Sequence, residues 1–158
     1  MALFNMTDLR AALRDGERLI GIDLGSKVIG VALSDVGLAL ASPYGSIRRG
    51  KLAANAAELR ALAVREGAGG LVVGLPLSMD GSFGPAAQAA RDWARALSEA
   101  TALPAAMWDE RLTSSAVNDF LVEQAGLDHR RRAAVVDRMA AAAILQAALD
   151  ASRSGVRD

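Results

Sequence analysis

The sequence predicts an α/β domain on a five-stranded mixed sheet: an antiparallel three-strand meander plus two parallel strands, with helices on both faces. Three observations carry this reading. Leu19 to Asp35 contains two β-prone runs, LIGIDL and VIGVALS, around a short Gly-Ser-Lys connection, and a third run, LALASPYGSI, follows Gly37. Two later runs, LVVGL and AAMWDERL, each follow a helical segment, the spacing that pairs strands in parallel. The helical segments repeat apolar residues at i, i+3 and i+4, so each has one face to bury.

Taken in order, residues 7–14 form a short amphipathic helix with Leu9 and Leu13 on one side and Thr7 as its N-cap. The two hairpin strands come next. Pro43 marks the third strand as an edge strand, since proline has no N–H for a ladder. Residues 51–65 are helical, with Leu52, Ala56, Leu59 and Ala63 at helical spacing, and Gly67, Gly69 and Gly70 end that helix. Leu71 to Leu75 is an uninterrupted apolar run, as a strand covered on both faces requires. Pro85 opens the next helix, which runs to about Glu99 with Ala86, Ala89, Ala90, Trp93 and Leu97 inward. After Pro104 comes the fifth strand. Thr113 or Ser114 then caps a helix through Glu123, which Gly126 ends, and the last helix spans Arg131 to Asp150. The organisation is a helical extension over 1–17, one domain over 18–150 and a flexible tail over 151–158.

Composition limits the function. At 158 residues the chain is one domain with a full core, and its 52% hydrophobic and 23% charged content is ordinary for a globular protein. Cysteine is absent, which excludes disulfides, thiolate metal sites and a cysteine nucleophile, and favours the cytoplasm. No apolar run approaches the roughly 20 residues of a membrane span, and the N-terminus lacks the apolar stretch of a signal peptide. The net charge is zero, so any nucleic-acid contact must be local. Two local basic runs exist, Arg48-Arg49 with Lys51 and His129 through Arg132; each is either a solvated surface or a phosphate track.

Three carboxylates stand in apolar company. Asp23 lies within the first strand, where alternation puts it on one face with Leu19 and Gly21. Gly21 and Gly25 leave its backbone open to a ligand. Glu110 shares a strand face with Trp108 and Leu112. Asp137 has only Ala133, Ala134, Ala140 and Ala141 around it on the last helix, so its partner must come from elsewhere in the fold. Each has a plainer reading: a turn acid for Asp23, an ion pair with an arginine for Glu110, a hydrogen bond from a strand or from Lys27 for Asp137. Together they suit a hard divalent cation, Mg²⁺ or Mn²⁺ rather than Zn²⁺, because carboxylates are the abundant ligands here. Two such ions about 3.5–4 Å apart activate a water and stabilise the leaving oxygen of a phosphodiester. There is no P-loop motif, and the single histidine supports no serine triad.

GIDLGSKVIGVALSD, VVGLPLSMDGSFGP, DERLTSSAV and VDRMAAAAILQAALD resemble, in order and spacing, the signature blocks of the YqgF/RuvX family. The resemblance covers Arg18 to Asp150. It implies an RNase H-like fold related to the Holliday-junction resolvase RuvC. The activity implied is a metal-dependent nuclease that processes the 5′ end of pre-16S rRNA, with resolution of branched DNA as the alternative. A non-catalytic RNA-binding ribosome-assembly factor on the same fold is a third possibility. By position, the family's acids fall on Asp23, Glu110 and Asp137, which would be both catalytic and metal-binding. Lys27, Arg111, Arg130, Arg131 and Arg132 are candidates for phosphate contacts, which need local positive charge. Partners would be nucleic acid and ribosomal particles but no membrane, with the chain a monomer or homodimer. Two positions depart from the family pattern: Val28 replaces the second base of a first-turn basic pair, and Phe83 stands where an acid or small polar residue is usual. IDLG before a hairpin also resembles the phosphate loop of actin-like and sugar-kinase ATPases, but those bind nucleotide between two such domains.

Overall fold

Strand β1 (Arg18–Leu24) forms the centre because its alternate residues serve different helix layers. Ile20 and Ile22 join one buried cluster with Ile29, Val31, Leu71 and Val73, while Leu19 joins another with Ala32, Val72 and Ala106. The computed structural model describes residues 3–78, 80–112 and 129–156. Strands β2 (Val28–Ser34) and β3 (Ala41–Arg48) extend the sheet antiparallel on one side of β1. Strands β4 (Ala68–Leu75) and β5 (Ala105–Asp109) extend it parallel on the other, giving the order β3-β2-β1-β4-β5. This is the expected meander with two parallel strands. Pro43 lies on the edge strand, next to a register shift that leaves an extra residue opposite β2.

Helices α2 (Leu52–Glu66) and α3 (Pro85–Thr101) cover the first cluster with Leu59, Leu62, Ala94 and Leu97. Helices α1 (Met6–Ala12) and α4 (His129–Val156) cover the second with Met6, Leu9, Ile144 and Leu145. No helix among the described residues is long and apolar enough to cross a membrane.

Several element ends differ from the sequence-based expectation. Asn5, not Thr7, caps α1: its Oδ1 accepts from Asp8 N at 2.8 Å. The reason lies one residue earlier, where Phe4 N donates to Ala105 O at 2.8 Å and bridges to β5, so the chain must turn into the helix at Asn5. Gly67 alone ends α2, in the left-handed region at φ 68°. Gly69 and Gly70 belong to β4, and a Cβ on Gly70 would come within 3.0 Å of Leu9 and Leu19 side-chain atoms. The inner face of α3 is Ala87, Ala90, Ala94, Leu97, Ser98 and Thr101, leaving Ala86 and Ala89 exposed and Trp93 half-buried. Alanine fits either side of a helix, so an alanine-rich pattern does not fix the helix's rotation. The last helix continues past Asp150 to Val156. Ser152 is buried there and accepts from Arg10 Nη1 at 3.0 Å, which docks α1 on this turn. The helix expected over 113–123 lies outside the described residues.

Asn55 is buried and ties β3 to α2. Its Nδ2 donates to Arg48 O at 3.0 Å and its Oδ1 accepts from Gly50 N at 2.9 Å. Asn55→Ala leaves both backbone groups unpaired and is expected to cost about 1–3 kcal/mol. A urea unfolding curve gives the number, and an unchanged midpoint would contradict it.

Candidate active site

The residues that surround Asp23 in the sheet have no side chains. Asp23 pairs across β1–β2 with Gly30. On the other side, the β1–β4 pairing ends at Ile22–Val73, so Asp23 comes abreast of Gly74. Both glycines clear a notch around the carboxylate. Gly21, two residues earlier on the same face, has the opposite role to the one expected. A Cβ there would lie 2.7 Å from Leu145 Cβ and 2.9 Å from the Ala141 carbonyl oxygen, so Gly21 admits α4 and not a ligand.

Glu110 fills part of the notch. The fifth strand was expected to continue through Leu112, but it stops at Asp109, and residues Glu110–Leu112 form one 3₁₀ turn. Asp109 causes the turn: its Oδ1 accepts from Arg111 N at 2.9 Å, a local bond that competes with the ladder. The turn lays Glu110 over the neighbouring strand. A Cβ on Gly74 would sit 2.6 Å from Glu110 Oε1 and 2.7 Å from Ile144 Cδ1. From this position Glu110 reaches Asp23, and the two carboxyls share a hydrogen bond. Burial pushes the Glu110 carboxyl above its ordinary range; the bond to Asp23 opposes that and the nearby Asp109 charge adds to it.

Arg111 pairs with Asp109. Its Nε lies 3.1 Å from Asp109 Oδ1 and its Nη2 2.7 Å from Asp109 Oδ2, a two-pronged contact that holds the Asp109 carboxyl below the usual carboxylate range. Lys27 is exposed on the β1–β2 turn at the Asp23 end of the sheet. Arg49 braces that turn: its N donates to Lys27 O at 2.9 Å and its Nη1 to Gly25 O at 3.0 Å. The meander therefore brings Arg48, Arg49 and Lys51 to the same sheet end as Lys27. Asp137 lies on α4, one turn before Ala141. Its side chain, and those of Arg130, Arg131 and Arg132, lie outside what the structure describes. Among the described residues no three acidic or histidine side chains converge in a way that could hold a metal ion.

The donor set suits a hard cation. Two carboxyl groups, those of Asp23 and Glu110, meet in a glycine-cleared notch and offer the hard oxygen donors that a divalent ion takes. Trp108 Nε1, opposite Gly74 in the β4–β5 register, is buried and has no hydrogen-bond partner among the described residues.

The family model described as RuvX, Holliday junction resolvase, matches residues 17–151. The chain belongs to the RuvX family. A relative from Gluconacetobacter diazotrophicus named "Putative pre-16S rRNA nuclease" is 64% identical over 152 residues, covering 96% of this chain and 99% of its own. One of the same name from Gluconobacter oxydans is 60% identical, covering 97% and 96%. The solved structure of T. thermophilus RuvC in complex with a Holliday junction substrate matches with a TM-score of 0.55 at 16% identity, over 88% of this chain and 96% of that one. The fold of this RuvX chain is thus RuvC-like, the RNase H-like architecture expected from its motifs.

Two contributors in the RuvX chain escaped sequence reading. Gly74 was legible only as a strand glycine, and a strand glycine signals close approach without naming what approaches. Asp109 was legible as the first residue of DER, and an acid two positions before a backbone N–H is the signature of such a turn.

Proposed function

We propose that the protein is a metal-dependent nuclease hydrolysing phosphodiester bonds in structured nucleic acid, and that it processes the 5′ end of pre-16S rRNA during cytoplasmic ribosome assembly. The hydrogen-bonded Asp23–Glu110 pair in a notch of a RuvC-like sheet carries this reading. The names of the relatives above support RNA as the substrate. Asp23, Glu110 and Asp137 hold Mg²⁺ or Mn²⁺, with Asp137 supplied by the turn of α4 that precedes the helix's contact over Gly21. When bound, the cation supplies an activated water and stabilises the leaving oxygen. Burial raises the Glu110 carboxyl, so cation binding strengthens as pH rises through that raised range. Gly30, the cross-strand partner of Asp23, adds no side chain beside the phosphate. Lys27, Arg111 and Arg130 to Arg132 contact flanking phosphates, Arg111 through the guanidinium edge that Asp109 leaves open.

The test is cleavage of a 16S rRNA precursor and of a four-way DNA junction by the purified chain with Mg²⁺, Mn²⁺ or chelator. RNA cutting that needs the metal is expected. Junction cutting without RNA cutting would reassign the substrate, and would require two copies of the chain for a symmetrical cut. If folded protein cuts neither, the nuclease reading fails and a non-catalytic RNA-binding assembly factor replaces it.

A further inference from the structure

Beyond the carboxylates, the same end of the sheet carries a second concavity on its other face. Its volume is about 340 Å³, and its walls include Phe4, Asn5, Leu75, Phe83, Arg91 and Met107. Leu75 ends β4 one residue after Gly74, and alternation turns it to the opposite face. The volume falls at the lower end of the roughly 300–1,000 Å³ typical of small-ligand sites. Two features mark the concavity as more than a packing gap. Phe83 is 43% exposed, a large aromatic left open to solvent. The Arg91 guanidinium carbon stands 5.8 Å from the centre of its ring. A ring face next to a cation is a stacking platform for a nucleobase, and its positive charge complements a nucleic-acid backbone.

The platform is tied to the carboxylate notch by one short segment. Phe83 follows a hydrogen-bonded turn in which Gly81 N donates to Ser78 O at 2.8 Å and Ser82 N to Asp80 Oδ1 at 2.9 Å. Gly81 faces the Arg111 guanidinium, and a Cβ there would be 3.4 Å from Nη1. Arg111 is the residue after Glu110. Arg111 thus joins the segment that carries Phe83 to the turn that carries Glu110.

We propose that this concavity takes one unpaired nucleobase of the substrate strand, stacked on Phe83 beside Arg91, and so directs cleavage to sites flanked by unpaired nucleotides. A base held in a duplex is stacked on its neighbours and cannot enter. The proposal rests on the nuclease reading and names a determinant of its specificity.

The test uses the full chain in chelator, so that binding is read without cleavage. Probes are a single-stranded RNA, the matching single-stranded DNA and the same sequence as a perfect duplex, each carrying a fluorescent adenine analogue. In wild type the analogue is quenched in the single strand only. Phe83→Ala removes the quench and weakens single-strand binding about 5- to 150-fold, the equivalent of one base–aromatic stack. Phe83→Tyr restores both, and duplex affinity stays the same in all three proteins. Quenching with RNA alone, or with both strands, identifies which sugar the site accepts. Hydrolysis of a small phosphodiester with no base is unchanged in Phe83→Ala, which shows the carboxylate notch intact. If Phe83→Ala keeps the quench and the affinity while wild type cleaves RNA, the base site is overturned and the nuclease reading stands. If Phe83→Ala weakens duplex and single strand alike, Phe83 is a general contact and the proposal also fails. Wild type that neither binds nor cleaves any nucleic acid removes both readings.

Discussion

Asp23→Asn is expected to lower metal-dependent cleavage by on the order of 10²–10³-fold, the usual cost of removing one preorganised charge from a reaction centre. The same change is expected to leave stability intact or raise it. Asp23 faces a second acid whose carboxyl burial has already pushed upward, so the apo protein carries two acids that do not ionise comfortably together. Because the folded state holds its Glu110 proton more tightly than the unfolded chain does, this group's stabilisation is complete below the unfolded value. It is lost as pH rises through the raised folded value. The apo wild type should therefore lose stability across that window, and divalent cation should restore it, since the ion binds only the folded pair. Single-turnover cleavage and urea unfolding at several pH values, with and without Mg²⁺, read both effects. Asp23→Asn that cuts RNA as fast as wild type would place the chemistry elsewhere in the molecule.

Gly21→Val is expected to be among the most damaging single changes in the sheet. Even one added carbon would meet Leu145 Cβ at 2.7 Å and the Ala141 carbonyl at 2.9 Å. The second neighbour is helix backbone, which cannot rotate away, so α4 must lift from β1. Overpacking of this kind costs about 1–3 kcal/mol and sometimes more, and the branched valine places this change at the upper end. Gly45→Ala is the control, with nothing within 4 Å of the added carbon. Unfolding curves of the two variants should separate clearly, and equal midpoints would contradict the close seating of α4. Activity should fall with Gly21→Val as well, because the helix that lifts is the one carrying Asp137.

The parts of this molecule legible in its sequence are those decided by short periods. Alternation in Leu19–Leu24 put Asp23 on the face of Leu19 and Gly21, which the two buried clusters and the contact of Gly21 with α4 reproduce. β2 has the ends that its apolar run suggested. Pro43 belongs to an outer strand, as its missing N–H demands. The misplaced features depend on contacts far apart in the chain. Asn5 caps α1 because Phe4 is held by β5, about a hundred residues on. Ser152 remains helical where α1 supplies Arg10. The meeting of Asp23 with Glu110 depends on a turn after β5 and a glycine in β4. Apolar company singled out both acids, but no pattern within either segment could say that they touch.

The position of Glu110 also makes the carboxylate pair a gauge of strand alignment. Glu110 reaches Asp23 only because Gly74 stands opposite Trp108 in the β4–β5 ladder. A slip of one residue would put a side chain under Glu110 and turn the glycine to the other face. β5 is short, and among the described residues the bridge from Phe4 to Ala106 covers its outer border. Phe4 therefore serves as a clamp on alignment, and loosening it would blur the spacing of the two acids well before the domain melts.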